Sequence, residues 1–389
     1  MGAAIPILPV PAFVNDADGL DPKLVLADMI GEFEATAGRT LQPGQVERLL
    51  INLYAYRETL VRNAIQYAGQ QNLLAYASFP MIDYLGELLG VTRLPAQAAT
   101  VILQFTLAAP LTIAYIIPAG TTVGSNDGQV AFATDTSLLI PAGQSVGAIQ
   151  ATATSPGAGG NGYLAGQVNV LLGPNPLIAS SSNTTVSSGG SAPETDDHLR
   201  SRIQAAPNQF SVAGPDGAYR FFAMGVDPSI VDAQVFSPAP GQVTVAILTG
   251  PILAQPAPSP NSSGIAGAGL LAEVAAALSG DRVRPLTDTV TVLPVTEVDY
   301  TIAGTVTLYT DADPTATMAA ANEAAQNFAI ALASRIQRDI VPSQISDALS
   351  VSGVYEVILS APTYTALVSG QWANCTAISL VPAIGPIHS

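Results

Sequence analysis

The hydrophobic pattern changes period several times along this chain. Val46, Leu49, Leu50, Leu53, Leu60 and Val61 recur at helical spacing after Pro43, which can open a helix. Arg48, Glu58 and Arg62 then fall on the expected outward face. Pro80 marks a second helix start, with Met81, Leu85, Leu88 and Leu89 as its apolar side and Gly90 as its stop. From Ala98 the period drops to two, with Val101, Leu103 and Phe105 alternating. Two similar segments follow, Ile116-Ile-Pro-Ala-Gly-Thr-Thr-Val-Gly124 and Leu139-Ile-Pro-Ala-Gly-Gln-Ser-Val-Gly147. Each places a Pro-Ala-Gly turn between apolar strand ends, and two copies are too few for a solenoid. The Ser-, Asn- and Thr-rich stretch 175–191 reads as a linker or exposed loop.

Glu194 to Ile203 reads as a helix, with acids at its start and Arg200 and Arg202 further on, as the helix dipole prefers. Val231, Ala233 and Val235 alternate with polar neighbours, Pro238, Pro240 and Gly241 break the run, and a second strand starts near Val243. A proline-rich loop spans 251–263. An Ala-rich helix follows over 264–279, then a strand through Thr289 and Val292. Tyr300 to Leu308 is a further strand. Asp313-Pro314 caps a long helix whose apolar face runs through Met318, Ala321, Ala325, Phe328, Leu332 and Ile336. A short helix over 343–349 and a strand over 354–359 complete this unit, and the tail after Ala361 reads as irregular or β.

The expected fold is therefore multidomain α+β. An extended arm and helical segment spans 1–95, an all-β barrel- or sandwich-like domain 96–190, a hinge helix with a small α/β module 191–295, and a second α/β module with the tail 296–389.

Composition narrows the function. Of 389 residues, 48% are hydrophobic and only 11% charged, against about 25% charged in average globular proteins. The mean hydropathy is +0.37, yet no apolar run reaches the roughly 18 residues of a spanning helix, so direct membrane insertion is not expected. Interface cores lose charge in this way, which suggests surface buried against partners. Thirteen Lys and Arg against 29 Asp and Glu give a net charge of −16, which disfavours nucleic acid. The single Cys375 excludes an intrachain disulfide and a cysteine-based zinc site. The N-terminal MGAAIPILPVPAF lacks a basic region and reads as an extended arm rather than a leader.

Candidate chemistry is thin. Gly143-Gln-Ser145-Val-Gly147 matches the nucleophile elbow of serine hydrolases, but that motif needs a helix after it. Here strands flank it, and the histidines, His198 and His388, lie far along the chain. Gly157 to Gly162 fits G-x-G-x-x-G, but a strand follows and no acid stands about 20 residues on, so turn glycines explain it better. Glu194 and His198, with Asp197, could ligate a metal but read as a helix-capping cluster. Asp311 and Asp313 likewise read as a cap rather than a calcium loop. Trp372 and Cys375 read as core or interface residues. No catalytic, cofactor-binding or metal site is expected.

The joint order of several segments carries a resemblance. These are Tyr84-Leu-Gly86 with Gly90-Val-Thr-Arg93-Leu-Pro, Ile117-Pro-Ala-Gly-Thr121 with Phe132-Ala-Thr134, and Gly160-Asn161 with Gly166. Further on come Gly189-Gly190 with Glu194-Thr-Asp196 and Leu199-Arg-Ser-Arg-Ile203, then Tyr219-Arg-Phe221, Phe236-Ser-Pro-Ala-Pro-Gly241, and Arg284-Pro-Leu-Thr-Asp288. Over roughly 80–310 the chain resembles the J-type baseplate proteins of contractile phage tails; His198 departs from the expected acid or neutral residue.

The resemblance implies a structural, non-enzymatic component of the virion tail baseplate, made in the bacterial host cytoplasm. Its implied partners are other wedge and hub proteins, sheath-proximal proteins and further copies in a sixfold ring. The ring would link hub to sheath and rearrange on contraction, with domain rotation expected near Gly189-Gly190 and Leu293–Val295. Two other classes compete: a receptor- or carbohydrate-binding tail protein, favoured by the β-domain, and an esterase using Ser145.

Overall fold

The architecture comes from a computed structural model that describes residues 9–14, 20–173, 175–210, 215–250, 264–280, 283–285 and 287–385. The chain divides into two compact units, one made of 1–93 and 195–204, the other of 94–194 and 205–389.

The first unit is helical. It holds α1 (Pro22–Ala37), α2 (Val46–Gln71), α3 (Met81–Glu87) and α4 (Asp196–Ala205). The sequence reading did not single out α1, although its signals are present. The Asp21 carboxylate accepts the Lys23 N–H at 2.8 Å, Pro22 sits at the helix start, and Gly38 closes it at φ 66°. In α3 the buried positions are Ile82 and Gly86, while Met81 and Leu88 are exposed. The expected apolar side is displaced because a seven-residue helix gives too short a period to orient.

Among the described residues, the second unit contains three sheets and a ribbon. Its barrel runs β1 (Thr100–Leu107), β2 (Tyr115–Ile117), β3 (Thr122–Ser125), β4 (Ala131–Thr134), β5 (Leu138–Ile140), β6 (Val146–Ala153), β7 (Val168–Leu171) and β8 (Ile178–Asn183). Six of these form an antiparallel sheet in the order β7-β3-β4-β6-β1-β8, and β2 pairs with β5 as a separate ribbon. The alternation in β1 is as expected, with Val101, Leu103, Phe105 and Leu107 buried. The two Pro-Ala-Gly segments pair with each other, antiparallel, Ile116 opposite Leu139.

The expected linker at 175–191 instead holds the barrel's last strand, β8. Strand pairing uses backbone groups and does not need apolar side chains. Polar residues can therefore occupy β8, with Ser181 and Asn183 buried. Asn183 fastens the two edge strands. Its Oδ1 accepts the Val168 N–H at 2.8 Å, and its Nδ2 donates to the carbonyls of Leu164 at 2.9 Å and Thr185 at 2.8 Å. Asn183→Ala leaves the buried Val168 N–H without its acceptor, and the barrel loses about 1–3 kcal/mol, read as a lower urea midpoint.

The Gly189-Gly190 pair is packed rather than slack. Ser188 and Ser191 bridge to Thr100 and Gln97. The Asn161 side chain accepts the Gly190 N–H at 2.8 Å and donates to the Gly190 carbonyl at 2.7 Å. A Cβ on Gly190 would stand 2.4 Å from the Gly157 carbonyl oxygen. The glycine permits a close approach between backbones.

Beyond the barrel, α5 (Asp216–Met224) precedes β9 (Ile230–Ala239) and β10 (Gln242–Thr249), an antiparallel hairpin turned at Gly241, φ 74°. Helix α6 (Ala268–Leu278) crosses to β11 (Thr289–Pro294), parallel to β10. The expected loop at 251–263 lies outside the described residues. The last sheet has β12 (Thr296–Leu308) at its centre, β13 (Val354–Ala361) antiparallel on one side and β14 (Gln371–Ile384) parallel on the other. Helices α7 (Pro314–Ala333) and α8 (Pro342–Leu349) supply its inner layer, packing Ala321, Ala325, Leu332, Ile345 and Leu349 against Tyr300 and Ile302. The tail after Ala361 thus holds a 14-residue strand.

Candidate assembly surface

Helix α2 is inside out. Its buried positions are Ala55, Thr59, Gln66 and Gln71. Its large apolar side chains face away from that side: Val46, Leu49, Leu50, Leu53, Tyr54, Tyr56, Leu60, Val61, Ile65 and Tyr67 are all exposed, from 47% to 68%. At 3.6 residues per turn, Val46, Leu49, Leu53, Tyr56 and Leu60 form one stripe along a helix of 26 residues, about 39 Å long. Arg48, Glu58 and Arg62, expected outward, are half-buried, and Arg62 pairs with Glu58 at 2.9 Å. The periodicity was legible; the side that turns inward was not.

The covered side explains the inversion. Ala55 and Thr59 are small, and Thr59 returns its hydroxyl to the Ala55 carbonyl at 2.8 Å. The arm residues 9–14 lie on α2 near its end. Gln66 Oε1 accepts the Phe13 N–H at 2.8 Å, and Gln66 Nε2 donates to the Pro11 carbonyl at 2.7 Å. A Cβ on Gly69 would stand 2.4 Å from the Phe13 ring. The arm therefore needs small and amide side chains beneath it.

Helix α4 anchors in the same unit through cations. Arg200 donates to the carbonyls of Leu74 at 2.8 Å and Ala77 at 2.7 Å. Arg202 donates to the Thr92 carbonyl at 3.2 Å. Arg93 bridges Asp196 at 2.7 Å and Asp83 at 2.9 Å, with its guanidinium over the Phe79 ring. Burial opposes ionisation of Asp196, but the Arg93 hydrogen bond, the Phe79 N–H and nearby Arg93 and Arg200 charges outweigh it and hold the carboxyl below its ordinary range. A depressed folded pKa gives stability that is present above the ordinary carboxylate value of about 3.9 and lost as pH falls through the folded value. Arg93→Ala therefore lowers the melting temperature at neutral pH and flattens its fall between pH 5 and pH 2, scanned by circular dichroism.

The barrel carries a second apolar feature. In the paired turn segments Ile117 and Ile140 are buried at 0% and 1%, while Ile116 and Leu139 are each 57% exposed. The repeat thus sets one side chain of each pair in the core and the other outside.

The residues weighed for chemistry occupy structural places. Ser145 lies in the turn before β6, with its carbonyl accepting the Leu107 N–H, and a strand rather than a helix follows. His198 lies in α4 of the helical unit, and His388 is outside the described residues. Glu194 is buried, its carboxylate accepting the Leu94 N–H at 2.9 Å. Gly160 is buried against Ala99 in a 3₁₀ turn. Asp313 caps α7, accepting the N–H groups of Thr315 and Ala316. Trp372 and Cys375 are buried. Among the described residues no group of three or more acidic, histidine or cysteine side chains could hold a metal, and no helix is long and apolar enough to cross a membrane.

Four family models match the chain in order: the Baseplate J-like N-terminal domain over 48–100, the barrel domain over 102–190, the central domain over 211–294 and the C-terminal domain over 300–381. The chain belongs to the Baseplate J-like family. Baseplate protein J of Escherichia phage P2 is 35% identical over 205 residues, which cover 52% of this chain and 64% of that protein. A chain in the sixfold-symmetrised cryo-EM structure of the anti-feeding prophage baseplate is similar at 17% identity, with a TM-score of 0.42 over 90% of each chain. The family is one of structural proteins of the tail baseplate, and its barrel model falls on β1–β8.

Proposed function

We propose that this chain is a wedge or ring component of the baseplate of a contractile tail or phage-derived injection system, joining hub to sheath and rearranging on contraction. The reading is mechanical rather than enzymatic. The observation that carries it is the α2 stripe. An apolar surface of this length is not left open by a monomer without reason, and partner helices would complete it as a bundle. The low charge content and the Ile116–Leu139 pair point the same way.

In this reading 1–95 packs with other wedge subunits, the barrel is a rigid spacer, and the two α/β modules present further surfaces. Copies of the chain stand in a sixfold ring beside hub and sheath-proximal proteins, in the virion. An affinity-tagged chain, expressed in a host producing the particle, should sediment with intact tails and appear at the baseplate by labelled electron microscopy. A chain that stays in the soluble fraction while tails assemble without it would refute the reading.

A further inference from the structure

The sequence suggests a hinge at Leu293–Val295, where the central α/β module hands over to the C-terminal one. The structure puts the opposite of a hinge there. Val295 is buried at 3%, and its N–H donates to the Ile247 carbonyl on β10 at 3.3 Å. The next amide, Thr296 N–H, donates to the Gly370 carbonyl at the entrance to β14 at 2.8 Å. Successive amides are thus held by the two modules in turn, and strands β11 and β12 are separated by Val295 alone.

Three side chains then tie the modules together. Asp232, on β9 and buried at 7%, is held by Arg220 at 2.5 Å and by its neighbour Ala233 N–H at 3.0 Å. Its second oxygen reaches out of the module to accept the Ile336 N–H beyond α7 at 3.0 Å. Gln234, two residues along the same strand, accepts the Gly370 N–H at 2.7 Å and donates to Gln337. Trp372, at the start of β14 and 2% exposed, donates its indole N–H to the Ala333 carbonyl at 2.7 Å. Its ring lies so close to Gly264 that a Cβ there would stand 2.7 Å away. Around these bonds Ala246, Leu248 and Phe236 of the central module pack with Val295, Ala333, Ile336 and Trp372 in one apolar cluster.

We infer that the central and C-terminal modules are welded into a single mechanical body, with Asp232 and Trp372 as the weld. A hinge needs a boundary crossed by few contacts, exposed and free to change its φ and ψ. This boundary has a dry core, and a buried carboxylate from one module serves as acceptor for a backbone amide of the other. Opening it would deprive Asp232 Oδ2 and the Ile336 N–H of each other. The consequence for contraction rests on the baseplate reading, whereas the weld itself does not.

Native-state hydrogen exchange on the purified full chain tests the weld. The Ile336 and Gly370 amides should exchange within about tenfold of the slowest amides of β10 and β12. Asp232→Asn, which keeps the shape but removes the charge, should speed exchange at Ile336 at least tenfold. Exchange at Ile336 and Gly370 more than 100-fold faster than in those strands, unchanged by Asp232→Asn, overturns the inference. In assembled particles, Gln234→Cys with Gln337→Cys bridged by a short bis-maleimide should leave contraction intact. Particles that contain the bridged chain and fail to contract would show that the junction opens. A chain that never enters the particle counts against the baseplate reading, and the exchange result still decides the weld.

Discussion

Leu49→Glu, Leu53→Glu and Leu60→Glu together leave the circular dichroism of the purified chain unchanged and remove it from assembled tails. All three side chains are exposed, at 62%, 56% and 47%, on one stripe of α2, and glutamate is close to leucine in helix propensity. The fold of the helical unit depends on the other side, where Ala55, Thr59 and Gln66 are covered. In an assembly the stripe would be dry. Burying an unpaired carboxylate costs several kcal/mol even after relaxation, so three should weaken docking by well over a thousandfold. The control is Lys23→Glu with Thr36→Glu, exposed positions of α1 that change the net charge by the same amount and leave α2 untouched. Sedimentation of tagged variants with tails reads both. Normal incorporation of the triple leucine variant would show that α2 is not an assembly surface.

Trp372→Ala costs about 3–5 kcal/mol, the range for truncating a buried aromatic. The ring is 2% exposed and fills the contact between Gly264, Ala333 and Ile336. Since a folded domain is stable by only about 5–15 kcal/mol, this is a large fraction of the total. Trp372→Phe keeps most of the volume and loses the indole bond to the Ala333 carbonyl, at about 1–2 kcal/mol. Urea unfolding followed by circular dichroism, with the ordering native, then Phe, then Ala, checks both. Equal stability of all three would place the tryptophan outside the load path between the modules.

Much of the architecture could be read from local pattern. The period-two run at Val101–Phe105, the cap at Asp313, the turn at Gly241, and the α7 face through Ala321, Ala325 and Leu332 are local signals. Their physics acts within a few residues, through steric limits on the backbone and side-chain spacing. The reading of Ser145 as a turn residue also rested on local context, and in the structure a strand follows it. The polar strand β8 was missed because its pairing is a matter of backbone bonds to β1, which leave no apolar trace in the side chains.

The assembly surface was half legible. Helical spacing groups Leu49, Leu53 and Leu60 on one side, but periodicity is blind to direction. Only the docked arm at Gln66 and Gly69 and the packing of α1 decide that the leucines face out. The glycine pair at 189–190 and the turn at 293–295 show the same limit. Small residues and a break in pattern look alike whether they loosen a chain or let two backbones close on each other. By itself the sequence determined the order of most elements other than α1 and β8, the family and the scarcity of charge. The tertiary structure alone decided which faces are covered and which junctions are closed, because both depend on partners distant in the chain: Phe13 for Gln66, 53 residues away, Gly370 for Gln234, 136 away, and Ile336 for Asp232, 104 away.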